Sequence, residues 1–199
     1  MLWCEKNYPA KNYGLNVWDH GSGIFKSASK ASISKGCVGD MKLWEIDKAL
    51  MDFKKQAGKN LDVLGFDVCL LGQVETVYQI KDYVDYVVAC EKTAPGDGWD
   101  YLNTFQAMKA DPLITPEAFV KHTVKTYKWS YETGVQTQGD DGTTISATDC
   151  IYFRQSFDDA INAFANTLIE YLPSPLERIN AAVKASWVSM DNVEHKDFG

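Results

Sequence analysis

Three short apolar runs, separated by stretches with helical spacing, constrain the fold of this chain more than any other feature of its sequence. The runs cover residues 13–19, 61–68 and 83–90. Between them, residues 42–57 and 73–81 carry apolar side chains at the spacing of an amphipathic helix. Strands that alternate with helices in this order are typical of a parallel sheet with helices on both of its faces.

The rest of the chain is predicted to be mostly helical. Residues 116–131, 157–171 and 176–187 each carry an apolar stripe at helical spacing. Residues 143–152 are rich in β-branched side chains, which favours one further strand at the edge of the sheet. We therefore expect an α/β fold with a mostly parallel sheet, formed by a single domain over residues 1–199.

Composition disfavours several classes of protein. The 199 residues carry a net charge of −7, which argues against nucleic-acid binding because that function rewards basic surfaces. No apolar run approaches the ~18 residues of a membrane span, and the first residues lack the apolar core of a signal peptide. The five cysteines include no CxxC pair, so a zinc ribbon is not expected. No GxGxxG or Walker pattern follows a predicted strand, which disfavours a flavodoxin-like nucleotide-binding domain.

Two of the apolar runs end in similar motifs, NVWDHGSG and GFDVCLLG. Because the carboxyl ends of parallel strands lie at the same edge of a sheet, we expect His20 of the first motif and Cys69 of the second to face each other. A thiolate is a nucleophile, and a histidine that titrates near ~6.5 can accept and return its proton. Gly21 would let its backbone N–H approach a developing oxyanion, with the N–H of Cys69 as a second donor.

A structural role is the alternative for each of these residues, since a cysteine at a strand end or a lone histidine is more often part of the core. Several other cysteines and histidines are interpreted in that way: Cys37, Cys90, Cys150, His122 and His195. The two matched strand-end motifs, with His20 placed 49 residues before Cys69, favour a catalytic pair instead.

Three stretches, NVWDHGSG, GFDVCLLGQVETVYQIKDYVDYVVACE and APGDGWDY, resemble the clostripain family of cysteine endopeptidases in their order and spacing. The resemblance covers residues 1–105 and is looser beyond them. It implies a caspase-like three-layer α/β/α sandwich, in which His20 and Cys69 form the catalytic dyad. It also implies that the first strand of the sheet precedes this chain, and that the full-length protein extends beyond it at both ends.

The resemblance assigns two acidic residues to the pocket that accepts an Arg or Lys side chain of the substrate. These are Asp67, two residues before Cys69, and Asp97 of APGDGWDY, while Glu91 is a weaker candidate. A guanidinium in a partly buried pocket favours one or two carboxylates. The alternatives are a turn-forming role for Asp97 and the capping of nearby backbone N–H groups by Asp67.

Together these expectations describe an endopeptidase that cleaves polypeptides after Arg or Lys through a thioester intermediate. The alternative is a non-catalytic module of caspase-like fold that binds peptides or protein partners. Family members are commonly bacterial and exported, so the resemblance also implies a secreted or cell-envelope protein.

Relatives of this family are zymogens that are cut after a basic residue between the two catalytic strands. The resemblance therefore implies self-cleavage within KSASKASISKG, with Lys30 and Lys35 as the favoured sites because Lys26 lies too close to His20. An ordinary flexible loop that is never cut is the alternative.

Calcium is a possible cofactor by resemblance only, since some family members need it. No EF-hand loop is present in the sequence, and no other cofactor is expected. Asp140 and Asp141 could supply oxygen ligands, with a solvated turn as the alternative.

Overall fold

The chain divides by its internal contacts into two compact units, Met1–Ile151 and Tyr152–Gly199. The structure is a computed structural model, and both strand-end motifs lie in its first unit. It describes residues 1–23, 38–137, 143–171 and 176–191. The prediction of a single domain over residues 1–199 within a longer protein stays a prediction.

The first unit is built around a four-stranded sheet in the order β1-β2-β3-β4. Its strands are β1 (Gly14–Trp18), β2 (Leu61–Asp67), β3 (Val84–Ala89) and β4 (Ser146–Asp149). The first three strands are parallel, and β4 is antiparallel to β3. The prediction of a mostly parallel sheet is therefore confirmed, with the three apolar runs as its adjacent strands.

Helices cover both faces of this sheet. The helices of the first unit are α1 (Leu2–Asn7), α2 (Leu43–Ala57), α3 (Val74–Ile80), α4 (Tyr101–Ala110) and α5 (Pro116–Glu132). Helix α5 contacts β2, β3 and β4, and Val63 of β2 packs there with Trp99, Val120 and Tyr127. Leu64, the next residue of β2, points to the opposite face, where α2 contacts the strand. The three-layer α/β/α prediction is confirmed.

Helix α2 begins and ends close to the residues that the sequence predicts. The backbone N–H of its N-cap Lys42 donates to the carboxylate of Glu45 at 2.7 Å. Gly58 follows the helix with a φ of 72°, and its N–H donates to the carbonyl of Lys54 at 2.9 Å. The Gly58 cap ends the helix, and only three residues separate Ala57 from the start of β2 at Leu61, so the connection into this strand is short.

Helix α4 is absent from the sequence prediction. Its N-cap is Asp100, whose carboxylate accepts the backbone N–H of Asn103 at 3.1 Å. Asp100 lies inside the turn-rich motif APGDGWDY, and the residues that follow it show only weak amphipathic spacing. The cap is therefore the one local signal for this helix.

The prediction for residues 143–152 is wrong at both ends. Only Ser146–Asp149 form a strand, and α6 (Cys150–Tyr171) begins directly after it. The Asp149 carboxylate accepts the backbone N–H of Ile151 at 2.8 Å, which stabilises a helix start at this point. The local cap at Asp149 therefore outweighs the strand preference of the β-branched side chains in this segment.

Within the described residues, the second unit contains residues 152–171 of α6 and the helix α7 (Leu176–Asp191). The predictions of helices over residues 157–171 and 176–187 are thereby confirmed, although α6 begins earlier. Within α6, the rings of Phe153 and Phe157 stack with their centroids 4.2 Å apart. Of the helices in the described part of the chain, none is long and apolar enough to cross a membrane.

Candidate active site

The carboxyl ends of β1 and β2 lie side by side at one edge of the sheet. Trp18 pairs with Asp67 in the parallel register, so His20 and Cys69 each follow their strand by two residues. Both line a cleft of about 220 Å³. The cleft is lined by Trp18, Asp19, His20, Asp67, Val68, Cys69, Ala94, Pro95 and Gly96. The structure thus brings together the histidine and the cysteine that the sequence singles out.

Gly21 brings the two strand-end loops into direct contact. A Cβ added to Gly21 would overlap the carbonyl oxygen of Cys69 and would lie 2.8 Å from the Cys69 amide nitrogen. No other residue type fits here unless one of the two backbones moves. Among the described residues, the backbone N–H groups of Gly21 and Cys69 have no hydrogen-bond acceptor. The close approach therefore leaves two backbone donors next to each other in the site.

The half-buried Cys69 sulfur is held by the loop that follows β3. Its Sγ accepts a hydrogen bond from the backbone N–H of Ala94 at 3.2 Å. The next residue, Leu70, has a φ of 62°, a left-handed conformation that residues other than glycine rarely adopt. The Leu70 N–H donates to the carbonyl of Lys92 at 3.0 Å, which fixes this strained backbone to the same loop. The position of the sulfur therefore depends on the loop after β3 as well as on β2.

His20 is exposed, and its backbone is fixed on both sides. Its N–H donates to the Asp19 carboxylate at 2.6 Å, and its carbonyl accepts the N–H of Gly39 at 2.8 Å. The His20 ring makes no hydrogen bond to any other residue that the structure describes. Both ring nitrogens are therefore available for proton exchange with a thiol or a substrate.

Asp67 is a buried carboxylate with one satisfied oxygen. The residue is only 2% exposed. Its Oδ2 accepts the backbone N–H of Trp99 at 3.0 Å and the hydroxyl of Tyr101 at 2.6 Å. Its Oδ1 has no hydrogen-bond partner among the described residues. Burial raises the pKa of Asp67, and the hydrogen bonds from Tyr101 and Trp99 offset part of that rise. Oδ1 is itself shielded from solvent, so it becomes an acceptor for a cationic side chain only when its surroundings move.

Asp97 lies on the loop after β3, and its carboxylate makes hydrogen bonds away from the cleft. Its Oδ2 accepts the backbone N–H of Thr137 at 2.7 Å and the Thr137 hydroxyl at 3.3 Å. Gly96, its neighbour, lines the cleft, whereas Asp97 is not among the lining residues. In this structure Asp97 ties the loop after β3 to the segment that follows α5.

Several candidates of the sequence analysis lie outside the described residues, namely Lys30, Lys35, Asp140 and Asp141. Within the described residues, no group of three or more His, Cys, Asp or Glu side chains is arranged to hold a metal ion.

His122 and Cys90 lie in surroundings that are typical of structural rather than catalytic residues. His122 Nε2 lies 3.0 Å from the carbonyl oxygen of Asn103 and 3.2 Å from the hydroxyl of Thr126. Cys90 is fully buried with its sulfur 3.7 Å from the Tyr127 hydroxyl, and burial raises the pKa of its thiol to about 12. A thiol with so high a pKa is a poor nucleophile near neutral pH. These contacts agree with the structural role that the sequence assigns to both residues.

Sequence reasoning missed the contributions of Ala94 and Tyr101 to this site. Ala94 contacts the Cys69 sulfur through its backbone, which no side-chain pattern reveals. Tyr101 reaches Asp67 across 34 residues of sequence, so only the folded chain brings the two together. The motif APGDGWDY, which ends at Tyr101, is the one signal that could have drawn attention to them.

Comparisons with known proteins agree with this architecture. A sequence model of the clostripain family matches residues 1–198. Clostripain from Hathewaya histolytica is 28% identical over 119 residues, which cover 54% of this chain and 23% of that protein.

Two solved structures share the fold. One is an inactive zymogen protease of the same family from Parabacteroides distasonis, with a TM-score of 0.57 and 22% identity over 77% of this chain and 38% of that one. The other is a secreted cysteine protease of the family from Bacteroides thetaiotaomicron, in complex with an irreversible peptide inhibitor. It has a TM-score of 0.53 and 23% identity, over 73% of this chain and 42% of that one. The caspase-like fold prediction is thereby confirmed, and this chain spans less than half the length of these relatives.

Proposed function

Because this chain belongs to the clostripain family, we propose that the protein is a cysteine endopeptidase that cleaves polypeptides after Arg or Lys. The observation that carries the proposal is the single cleft in which His20 and Cys69 follow two adjacent parallel strands. Asp67, a buried carboxylate with an unsatisfied oxygen in the same cleft, supports the preference for a basic side chain.

In the first half of the reaction, His20 accepts the thiol proton of Cys69, and the resulting thiolate attacks the carbonyl carbon of the scissile peptide bond. The carbonyl oxygen becomes an oxyanion, which the backbone N–H groups of Gly21 and Cys69 stabilise. The carbon–nitrogen bond then breaks, the amine leaves with the proton held by His20, and the acyl group stays on Cys69 as a thioester. Support for these roles comes from the close approach of Gly21 to Cys69, whose backbone N–H groups have no acceptor among the described residues.

In the second half, a water molecule attacks the thioester carbonyl while His20 accepts one of its protons. The carbon–sulfur bond breaks, the proton returns to the Cys69 sulfur, and the product leaves as a carboxylic acid. The two halves together consume one peptide bond and one water molecule, and they need no further reactant.

The basic side chain of the substrate is bound by the Asp67 carboxylate, whose Oδ1 is the acceptor for a guanidinium or an ammonium group. Oδ1 is shielded from solvent in this structure, so its surroundings have to move to admit the cation. Asp97 is the second proposed acidic residue of this pocket. For that role its carboxylate would have to exchange its hydrogen bonds with Thr137 for one with the substrate.

Fluorogenic peptides with Arg, Lys, Leu or Glu before the leaving group test the proposal. We expect cleavage of the Arg and Lys peptides, no measurable cleavage by the Cys69→Ala variant and near-normal cleavage by the matched Cys90→Ala variant. Equal cleavage of all four peptides would contradict the specificity. Activity that persists in Cys69→Ala would contradict the dyad and would favour the alternative of a non-catalytic binding module.

Self-cleavage after Lys30 or Lys35 is part of the same proposal. The segment lies between the two catalytic strands in sequence and is rich in small polar residues and lysines, which suits an enzyme specific for basic residues. Mass spectrometry of the purified protein tests it. Two chains are expected for the wild type and one chain for Cys69→Ala, whereas cutting that persists in Cys69→Ala would assign it to another protease.

Export from the cell and a calcium requirement rest on the family resemblance alone. Export is supported by the relative from Bacteroides thetaiotaomicron that is described as secreted. Peptide cleavage in the presence of a calcium chelator tests the second point, and full activity under that condition would exclude a calcium requirement.

A further inference from the structure

A chain of hydrogen bonds from outside the cleft ends on Asp67. Asn16 Nδ2 donates to the Tyr101 hydroxyl oxygen at 2.8 Å, and the Tyr101 hydroxyl donates to Asp67 Oδ2 at 2.6 Å. The backbone N–H of Trp99 donates to the same Oδ2 at 3.0 Å. Every described hydrogen bond to this carboxylate therefore falls on one of its two oxygens, and Oδ1 has no partner among the described residues.

The direction of these hydrogen bonds is fixed by chemistry. The Asn16 amide donates through Nδ2, so the Tyr101 oxygen is the acceptor there and its single proton is directed to Asp67. A hydroxyl-to-carboxylate distance of 2.6 Å lies in the range of charge-assisted hydrogen bonds, which are stronger than neutral ones. Tyr101 is thus a donor with a fixed orientation toward Asp67.

The Tyr101 ring is held in place independently of its hydroxyl. It stacks on Phe105 with the ring centroids 6.2 Å apart, and it packs against Trp99 at 6.4 Å. Its backbone N–H donates to the Trp99 carbonyl at 2.9 Å. A Tyr101→Phe variant therefore keeps the ring contacts and removes only the hydroxyl.

We propose that Tyr101 is a positioning residue for substrate specificity, which holds Oδ2 of Asp67 so that Oδ1, buried and without a partner among the described residues, is left for the cationic side chain of an Arg or Lys substrate. The inference rests on the proposed function and extends it to a residue that does not touch the substrate. Without the hydroxyl only the Trp99 N–H still holds Oδ2, so the carboxylate is less firmly oriented, and a buried carboxylate that loses a donor is harder to ionise. Both effects weaken binding of a cation and leave the chemistry at Cys69 unchanged.

Two alkylating reagents separate specificity from reactivity. An arginyl chloromethylketone reaches Cys69 through the pocket for the basic side chain, whereas iodoacetamide reacts with the same sulfur without using that pocket. For Tyr101→Phe we expect the second-order rate with the arginyl reagent to fall by roughly tenfold, the scale of a hydrogen bond to a charged group. The iodoacetamide rate should stay within twofold of the wild-type rate.

Tyr131→Phe is the matched control, because the Tyr131 hydroxyl donates its hydrogen bond to the Gly98 carbonyl at 2.8 Å, on the loop after β3, rather than to Asp67. The ratio of the arginyl chloromethylketone rate to the iodoacetamide rate should be the same in this variant as in the wild type. An unchanged ratio in Tyr101→Phe, or an equal fall of both rates, would overturn the inference. A wild type that shows no preference for the arginyl reagent over a glutamyl one would instead contradict the proposed function.

Asn16 provides a second variant that does not depend on the folding of Tyr101→Phe. Asn16→Ala removes the donor that orients the hydroxyl and should lower the arginyl rate by a smaller factor, while the iodoacetamide rate stays the same. In a Tyr101→Phe background the same substitution should have no further effect, because the two residues act through one chain of hydrogen bonds. Multiplicative effects of the two substitutions would overturn the inference.

Discussion

Gly21 lies against Cys69 so closely that no side chain fits between their backbones, since a Cβ at Gly21 would overlap the Cys69 carbonyl oxygen. This contact joins the loop after β1 to the loop after β2. It places the backbone N–H groups of Gly21 and Cys69, which have no acceptor in the described part of the chain, at the edge of the sheet where His20 also lies. The site is therefore formed by the approach of two backbones as much as by its two reactive side chains.

Gly21→Ala should lower kcat/KM for Arg and Lys peptides by about 100-fold or more, the scale of losing an oxyanion donor. The added methyl group pushes the two loops apart and misaligns both donors. Steady-state kinetics with the fluorogenic peptides measure the effect. Gly14→Ala is the control, because a Cβ at Gly14 would lie 3.7 Å from Val63, an ordinary contact, and its kcat/KM should match that of the wild type.

Asp67→Asn should abolish the preference for basic residues without lowering the free energy of unfolding. Loss of one partner of a desolvated charge pair costs about 2–5 kcal/mol, which lowers kcat/KM by roughly 30-fold or more. The amide oxygen still accepts the donors Trp99 and Tyr101, and a buried charge is removed. Kinetics combined with chemical denaturation measure both quantities, with Asp62→Asn in the same strand as control. A fall in stability equal to the fall in activity would show that Asp67 serves the fold rather than the substrate.

The stability effect of Asp67 should depend on pH in a defined direction. Burial raises the pKa of this carboxyl above its ordinary value of 3.8, so the folded protein holds the proton more tightly than the unfolded chain does. The protonated Asp67 carboxyl makes its full contribution to the free energy of unfolding below about pH 4. That contribution is lost as the pH rises through the pKa of the folded state. The Tm of Asp67→Asn minus that of the wild type should therefore increase from pH 4 upward and then level off. A difference that decreases over this range would mean that the folded state lowers this pKa.

Cys90→Ala should leave kcat/KM within twofold of the wild type and lower the free energy of unfolding by about 1 kcal/mol. The thiol is fully buried, and burial raises its pKa to about 12, so it takes no part in nucleophilic chemistry. The loss of stability reflects the small cavity that the missing sulfur leaves beside Tyr127. A large loss of activity at unchanged stability would show that Cys90 takes part in catalysis and would contradict its structural role.

The fold could be predicted where local pattern and tertiary context agree. The runs that became β1, β2 and β3 are bounded by turn residues and alternate with amphipathic stretches, so their existence and parallel pairing follow from the sequence. Helix α4 lacks a clear apolar stripe and is marked only by its N-cap Asp100, which explains why pattern reasoning missed it. Strand β4 ends earlier than its β-branched composition indicates because a helix starts at Cys150.

The candidate site could be predicted only in part, for a related reason. His20 and Cys69 stand at equivalent positions after two parallel strands, and the sheet geometry alone places them at one edge. The partners of Asp67 and Asp97 are distant in sequence, at Tyr101 and Thr137, so no local pattern encodes them. Hydrogen bonds between residues this far apart in the sequence therefore cannot be predicted until the fold is known.

The most direct test of the account is to map, by mass spectrometry, the residue that an arginyl chloromethylketone alkylates in the purified protein. We expect a single adduct on Cys69 in the wild type, no adduct in Cys69→Ala, and a much slower reaction in His20→Ala. An adduct on another residue, or a glutamyl reagent that reacts with Cys69 as fast as the arginyl one, would contradict the proposed dyad and its specificity.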